Sequence, residues 1–73
     1  MGKNQWVVRH GSGWAQRGEG NARATRTFDT QREAIESARE TARRERSELF
    51  IQDESGRIRE RNSYGNDPLP PKG

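Results

Sequence analysis

The chain has 73 residues, of which 26% are apolar and 34% are charged, and its formal net charge is +3. A domain of roughly 60 residues buries only about 60% of its unfolded surface, so the sequence predicts one domain with a thin core and no walls for a deep substrate pocket. It has no cysteine, which excludes disulfides and thiolate metal sites, and no apolar run long enough to span a membrane.

Three short strands are predicted first, at residues 5–10, 14–18 and 24–28, with glycine-rich turns between them. The third strand contains an internal conflict, because an inward-facing Phe28 on a regular strand also turns Arg26 inward. A bulge or an early end of that strand removes the conflict.

The length of the loop around Gly11-Ser12-Gly13 decides which side chains share a face of the sheet. A loop of two or four residues leaves Trp14 on the face opposite Trp6 and Val8. A three-residue loop gathers all three on one face, and the demand for burial together with a left-handed Gly13 favours this register. The arginines that it sends to the other face are Arg9 and Arg17.

The clearest predicted element is a helix from Gln31 to about Arg46. Thr30 and Glu33 form a capping box at its start. Small apolar residues recur at helical spacing and predict close packing on a sheet; they are Ala34, Ile35, Ala38 and Ala42. The opposite face of the helix is charged and carries Arg32, Glu36, Arg39, Glu40, Arg43 and Arg44.

A second hairpin follows, with strands at 48–52 and 57–62. We expect Ile51 to pair with Ile58, which points Phe50 outward beside the arginines that alternate along the last strand. An arginine over that ring contributes about 0.5–1 kcal/mol at an exposed site.

These elements predict a small two-layer α+β domain of order β-β-β-α-β-β, with an antiparallel sheet packed on one face by a single helix. We expect residues 1–65 to form this domain and residues 66–73 to form a proline-rich flexible C-terminal tail. Because such a sheet has exposed edges, we expect a monomer or a weak homodimer through an edge strand.

Several segments carry a resemblance to a known family. They are a Trp-Val-Val opening strand, a Gly-Trp-Ala second strand, Phe-Asp-Thr-Gln leading into an Ala-Ile-Glu-x-Ala-Arg helix, and the closing Gly-Arg-Ile-Arg-Glu-Arg-Asn-Ser-Tyr-Gly-Asn-Asp-Pro segment. From Trp6 to Pro71 the chain resembles the short uncharacterised prokaryotic proteins of the domain of unknown function 2188 family. The resemblance implies the α+β fold and a bacterial or phage origin, and it implies no activity.

Arginine carries the main functional signal, since 12 of the 14 basic residues are arginine. We expect the strand arginines to form a stripe on the sheet face away from the helix, where their planar forks suit phosphates or the carboxylates of an acidic partner. The predicted binding residues are Arg9, Arg17, Arg23, Arg57, Arg59 and Arg61. The alternative interpretation is a solvated charged face that binds nothing.

No catalytic arrangement is recognisable, and we expect no enzyme activity, no cofactor and no metal. His10 is the single histidine, too few for a zinc site, and no serine lies in a nucleophile elbow. Trp6 and Trp14 can stack on nucleic-acid bases, but the shortage of large apolar side chains favours a place in the core.

The sequence therefore predicts a small cytoplasmic, non-enzymatic domain with no membrane partner. Its first predicted function is a protein-interaction or accessory module for an unknown protein partner, and the alternative is nucleic-acid binding through the arginine-bearing sheet face. Only the alternative requires affinity to fall steeply with salt, in proportion to the phosphates neutralised.

Overall fold

The computed structural model describes residues 3–20 and 24–64. The elements in chain order are β1 Gln5–His10, β2 Gly13–Gly18, β3 Arg26–Phe28, α1 Gln31–Glu45, β4 Glu48–Gln52 and β5 Ile58–Ser63. The strands form one sheet of order β3-β2-β1-β4-β5, and α1 packs on one of its faces. The predicted α+β class is confirmed; the predicted tail, 66–73, lies outside the described residues.

The sheet is mixed. Three of the described ladders are antiparallel, but the central β1–β4 pair is parallel, running from Gln5 opposite Leu49 to Val7 opposite Ile51. The expectation of antiparallel pairing does not hold for this pair. Because α1 carries the chain back along the sheet, β4 starts at the end where β3 started and runs in the same direction as β3 and β1.

Helix α1 begins and ends where its capping residues predict. Thr30 has extended backbone, and its hydroxyl accepts a hydrogen bond from the amide of Glu33 at 3.2 Å. At the other end Arg46 is left-handed, with φ 55° and ψ 52°, and its amide donates to the carbonyls of Ala42 and Arg43. The left-handed residue satisfies carbonyls that the last turn leaves free and stops the helix.

The core lies between α1 and the sheet and is thin. Three alanines of α1 are fully buried against the sheet: Ala34, Ala38 and Ala42. The sheet contributes Val7, Trp14, Leu49 and Ile51, and Phe28, Ile35 and Tyr64 pack partly buried at the margin. Alanines let the helix approach closely, so that a few large side chains fill the layer.

A polar network lies within the same interface and is centred on Gln16, which is 2% exposed. The hydroxyl of Ser37 donates to its Oε1 at 2.6 Å. Its Nε2 donates to Oε1 of Gln5 at 3.0 Å and to Oγ1 of Thr41 at 3.1 Å. Because these polar groups are paired, burying the amide is not penalised as an unsatisfied group.

The first hairpin has a two-residue turn, so the three-residue register is wrong. His10 lies opposite Gly13, and Gly11 is the residue with positive φ, at 58°. Glycine at the first central position fits the tight primed turns that suit twisted hairpins. Trp14 therefore faces α1, while Trp6 lies opposite Arg17 on the other face of the sheet.

A bulge changes the second hairpin. Ile51 lies opposite Glu60 and Gln52 opposite Ile58, with an irregular step between the two pairs. The predicted pairing of Ile51 with Ile58 is therefore wrong, and Ile58 is 52% exposed. One extra residue in a strand turns its neighbours to new faces, here including Arg59.

Strand β3 is shorter than predicted and lies at the sheet edge. Phe28 is opposite Trp14 and Arg26 is opposite Gln16, so both side chains lie on the helix side. The conflict is resolved because the edge position leaves Arg26 exposed, with its guanidinium 5.6 Å from the centre of the Phe28 ring. Within the described ranges, no helix is both long and apolar enough to cross a membrane.

Candidate functional site: the outer face of the sheet

The sheet face turned away from α1 carries one continuous row of side chains. Arg17, Trp6, Phe50 and Arg61 come from β2, β1, β4 and β5, and each lies opposite the next in the strand registers. Residues directly opposite one another on neighbouring strands share a face and are close enough to interact. We call these four side chains the outer row.

The two aromatic rings of the outer row stack on each other. The ring centres of Trp6 and Phe50 are 4.5 Å apart, and their planes meet at 28°. This separation is close to the distance between neighbouring strands, about 4.7–4.9 Å, so the rings stack directly across β1 and β4, and both are partly exposed.

Arginines occupy the two ends of the outer row. The guanidinium carbon of Arg61 is 5.8 Å from the centre of the Phe50 ring. Because β4 lies between β1 and β5, Trp6 covers one face of that ring and Arg61 covers the other. The predicted placement of Phe50 outward beside an arginine is confirmed.

Hydrogen bonds fix the indole of Trp6. Its Nε1 donates to Oε1 of Glu19 at 3.2 Å, and Nδ2 of Asn4 donates to the same oxygen at 3.1 Å. Oδ1 of Asn4 in turn accepts from the amide of Glu48 at 2.9 Å. The indole is thus held by Glu19, which directly follows β2, and Glu19 is held in turn by Asn4, which directly precedes β1.

Apolar side chains adjoin the outer row. Val8 is partly exposed one step along β1, and Ala15, directly opposite it, is buried. Ile58, at the start of β5, is the exposed large hydrophobic residue of the described ranges. The surface therefore combines an apolar centre with cationic ends, and the Glu19 carboxylate lies at the edge of the indole. In the described part of the chain no helix packs over this surface.

Of the predicted binding arginines that the structure describes, Arg17 and Arg61 lie on this face. Arg9 lies opposite Trp14, with its guanidinium 5.2 Å from the centre of a Trp14 ring, and so belongs to the helix side. Arg59 also points to that side and donates to Oε1 of Gln31 at 3.0 Å. Arg9 differs from its predicted face because the first hairpin has a two-residue turn, and Arg59 differs because of the bulge in the second hairpin.

Two predicted arginines remain, Arg57 and Arg23. Arg57 precedes β5, and its amide donates to Oδ1 of Asp53 in the turn at 3.1 Å. Arg23 lies outside the described residues. A binding role for any of the six arginines remains a prediction.

The turn before β5 is organised by Asp53. Its Oδ1 accepts from the Ser55 hydroxyl at 2.7 Å and from the Ser55 amide at 2.9 Å. These bonds, the Ser55 hydroxyl first and then the Arg57 amide, hold the pKa of Asp53 below its ordinary value of 3.8. The turn thereby positions the start of β5 next to the bulge.

Trp6 is the site residue that sequence reasoning assigned to the wrong place. The sequence pattern that indicates an outward-facing Trp6 lies in the central strands, which contain Trp-Val-Val in β1 and Leu-Phe-Ile in β4. Consecutive apolar residues on a strand face both sides of a sheet. Two neighbouring strands of this kind indicate an apolar surface on each side, and the helix covers one of them.

Fold and site together define a small two-layer α+β domain with an open aromatic and cationic sheet face. Residues 5–64 match the family described as "Uncharacterized protein conserved in bacteria (DUF2188)", and the chain belongs to this family. It is similar to the uncharacterized protein YdaT of Bacillus subtilis, 33% identical over 66 residues. The match covers 90% of this chain and 44% of that relative, and no solved structure matches.

Proposed function

We propose that this domain is a protein-interaction module whose outer row docks an acidic protein partner. The observation that carries the proposal is the Trp6–Phe50 stack with an arginine at each end. Tryptophan and arginine are enriched among the residues that dominate binding energy at protein interfaces, and interface cores are rich in aromatic side chains.

The charges of the outer row select the partner. Arg17 and Arg61 offer planar forks on either side of an apolar centre, which complements carboxylates that flank an aliphatic or aromatic side chain. A second copy of the chain fits poorly, because either twofold stacking of the row on itself brings arginine against arginine. An acidic partner avoids this repulsion and replaces it with attraction.

Nucleic acid is the second candidate, supported by the two arginine forks and the net charge of +3. Proteins that bind single strands stack bases on open aromatic faces, at about 1–3 kcal/mol per base. Trp6 and Arg61 already cover the two faces of the Phe50 ring. The Phe50 ring therefore has no free face on which a base can stack, and for this reason we place nucleic acid behind protein as the proposed partner.

Selection from a displayed library of random peptides tests the proposal directly. Peptides enriched on the wild-type chain are expected to carry Asp or Glu on both sides of an apolar residue. Phe50→Ala is expected to weaken their binding by about 2 kcal/mol, as for a hot-spot residue, and Arg61→Ala by a smaller amount. The matched control is Arg44→Ala, an exposed arginine of α1, which is expected to leave affinity unchanged.

Two results would contradict the proposal. One is peptide binding that survives both outer-row substitutions in variants shown by circular dichroism to be folded. The other is tight binding of single-stranded DNA or RNA whose affinity falls linearly with the logarithm of salt concentration and is lost in the same variants. The second result would establish the nucleic-acid function instead.

A further inference from the structure

An open groove of about 790 Å³ lies between β3 and the flank of α1, away from the outer row. Its floor includes Thr27 and Phe28 of β3, and its wall includes Glu33, Glu36, Glu40 and Arg43 of α1. Clefts of this size accommodate ligands of several chemical classes. The kind of ligand is therefore inferred from the unpaired edge of β3 and from the charged side chains of the groove.

The floor of the groove is the edge strand of the sheet. β3 pairs with β2 along one side, and in the ranges 3–20 and 24–64 no strand pairs with its other side. An unpaired edge presents backbone N–H and C=O groups to any extended chain that aligns with it. Edge strands are a recurrent docking place for extended peptides, in which main-chain hydrogen bonds supply affinity and side-chain pockets supply specificity.

The charges along the groove have a direction. The chain reverses between β3 and α1, so the end of β3 lies beside the start of the helix. Asp29, Glu33 and Glu36 therefore make one end of the groove acidic. At the other end three arginines outnumber the single acid Glu40 and leave that end basic; they are Arg26, Arg39 and Arg43. A segment with one basic end and one acidic end complements this arrangement in a single orientation.

We propose that the groove binds an extended peptide segment of a partner protein, which adds to β3 as a sixth, antiparallel strand. An antiparallel segment starts beside Asp29 and finishes beside Arg26, so its N-terminal side carries the basic residues and its C-terminal side the acidic ones. Alternate side chains of the segment face the partly buried ring of Phe28. This second surface is independent of the docking proposed for the outer row.

A second copy of the chain suits the groove less well than a free segment. It offers only the three residues of its own β3. It also brings its own α1 along the same side of the paired edge, where the groove has a wall already. A segment without a flanking helix has neither limitation.

Two capped octapeptides of identical composition test the proposal. Both alternate valine and threonine in the middle; one has lysines at the N-terminal end and aspartates at the C-terminal end, and the other has these ends exchanged. In a ¹⁵N NMR titration, the first is expected to shift the amide signals of Thr27 and Phe28 and to leave the Trp6 indole signal in place. It is expected to bind about fivefold more tightly than the second peptide, because exposed charge pairs contribute about 1 kcal/mol to the binding free energy.

Charge reversal on the groove wall supplies the matched comparison. Glu36→Lys, at an exposed helix position, is expected to weaken the first peptide about fivefold. Glu54→Lys, in the exposed turn before β5, is expected to have no effect. The proposal is overturned by equal binding of the two peptides, by shifts confined to the outer row, or by no binding at millimolar peptide. Concentration-dependent shifts of the β3 amides without peptide overturn it too, because a second copy then fills the groove.

Discussion

Gln16 shows how one side chain fixes the contact between helix and sheet. Its amide makes three hydrogen bonds, and two of them reach Ser37 and Thr41 of α1. Two hydroxyls four positions apart on a helix lie on the same face, and the amide reaches both. The sequence did not predict this network, because the buried stripe of α1 was assigned from its apolar residues and includes neither Ser37 nor Thr41.

The network predicts coupled losses of stability. Gln16→Met keeps much of the side-chain volume but leaves the partly buried Ser37 hydroxyl without its acceptor, at a cost of about 1–3 kcal/mol in the free energy of unfolding. Gln16→Met combined with Ser37→Ala is expected to cost less than the sum of the single variants, as measured by urea unfolding. Glu54→Ala, remote and exposed, is expected to combine additively with Gln16→Met. Additivity in both pairs would contradict the network.

Asp53 predicts a dependence of stability on pH. Its pKa is lowered in the folded chain relative to 3.8, so its carboxylate stabilises the fold above that value, and the contribution is lost as pH falls through the folded pKa. The difference in unfolding free energy between wild type and Asp53→Asn is therefore expected to shrink on acidification. An NMR titration of the carboxyl carbon should give a midpoint below 3.8; a midpoint at or above that value would contradict the turn geometry.

Among the elements, the helix and the strands of the second hairpin were the easiest to predict. A capping threonine, alanines at helical spacing and a charged outer face specify α1 locally, and β4 has the bounds that its apolar run indicates. The registers were harder. They depend on which apolar side chains become buried by distant parts of the chain. Trp6 is partly buried by stacking on Phe50, a residue 44 positions away in the chain.

Gly13 gives a prediction at the scale of the hairpin. A Cβ at this position would collide with the backbone carbonyl oxygen of Phe28 on β3. Gly13→Ala is therefore expected to lower the urea midpoint, at a cost of about 1–3 kcal/mol, whereas Ser12→Ala in the exposed turn changes it little. Gly13→Asn should be no better than Gly13→Ala. Recovery of stability in the asparagine variant would indicate a left-handed Gly13 and the three-residue loop.

For the whole molecule, the two-layer class follows from the order of elements, but the parallel β1–β4 pair does not. Strand direction there depends on which side of β1 the returning chain joins, and no local pattern specifies that choice. The consequence for function is large. Placing β4 next to β1 brings Phe50 beside Trp6 and assembles the outer row from four separate segments. The two arginines of the row and Phe50 were predicted on the outer face, and Trp6 was not.

The nuclear Overhauser contacts of the Trp6 indole ring test this arrangement most directly, since the proposed docking surface depends on the side of the sheet that Trp6 occupies. We expect contacts from Trp6 to the ring protons of Phe50 and none to the methyl groups of Ala34, Ala38 and Ala42. Contacts from the Trp6 ring to those methyl groups would place it beneath α1 and contradict the account.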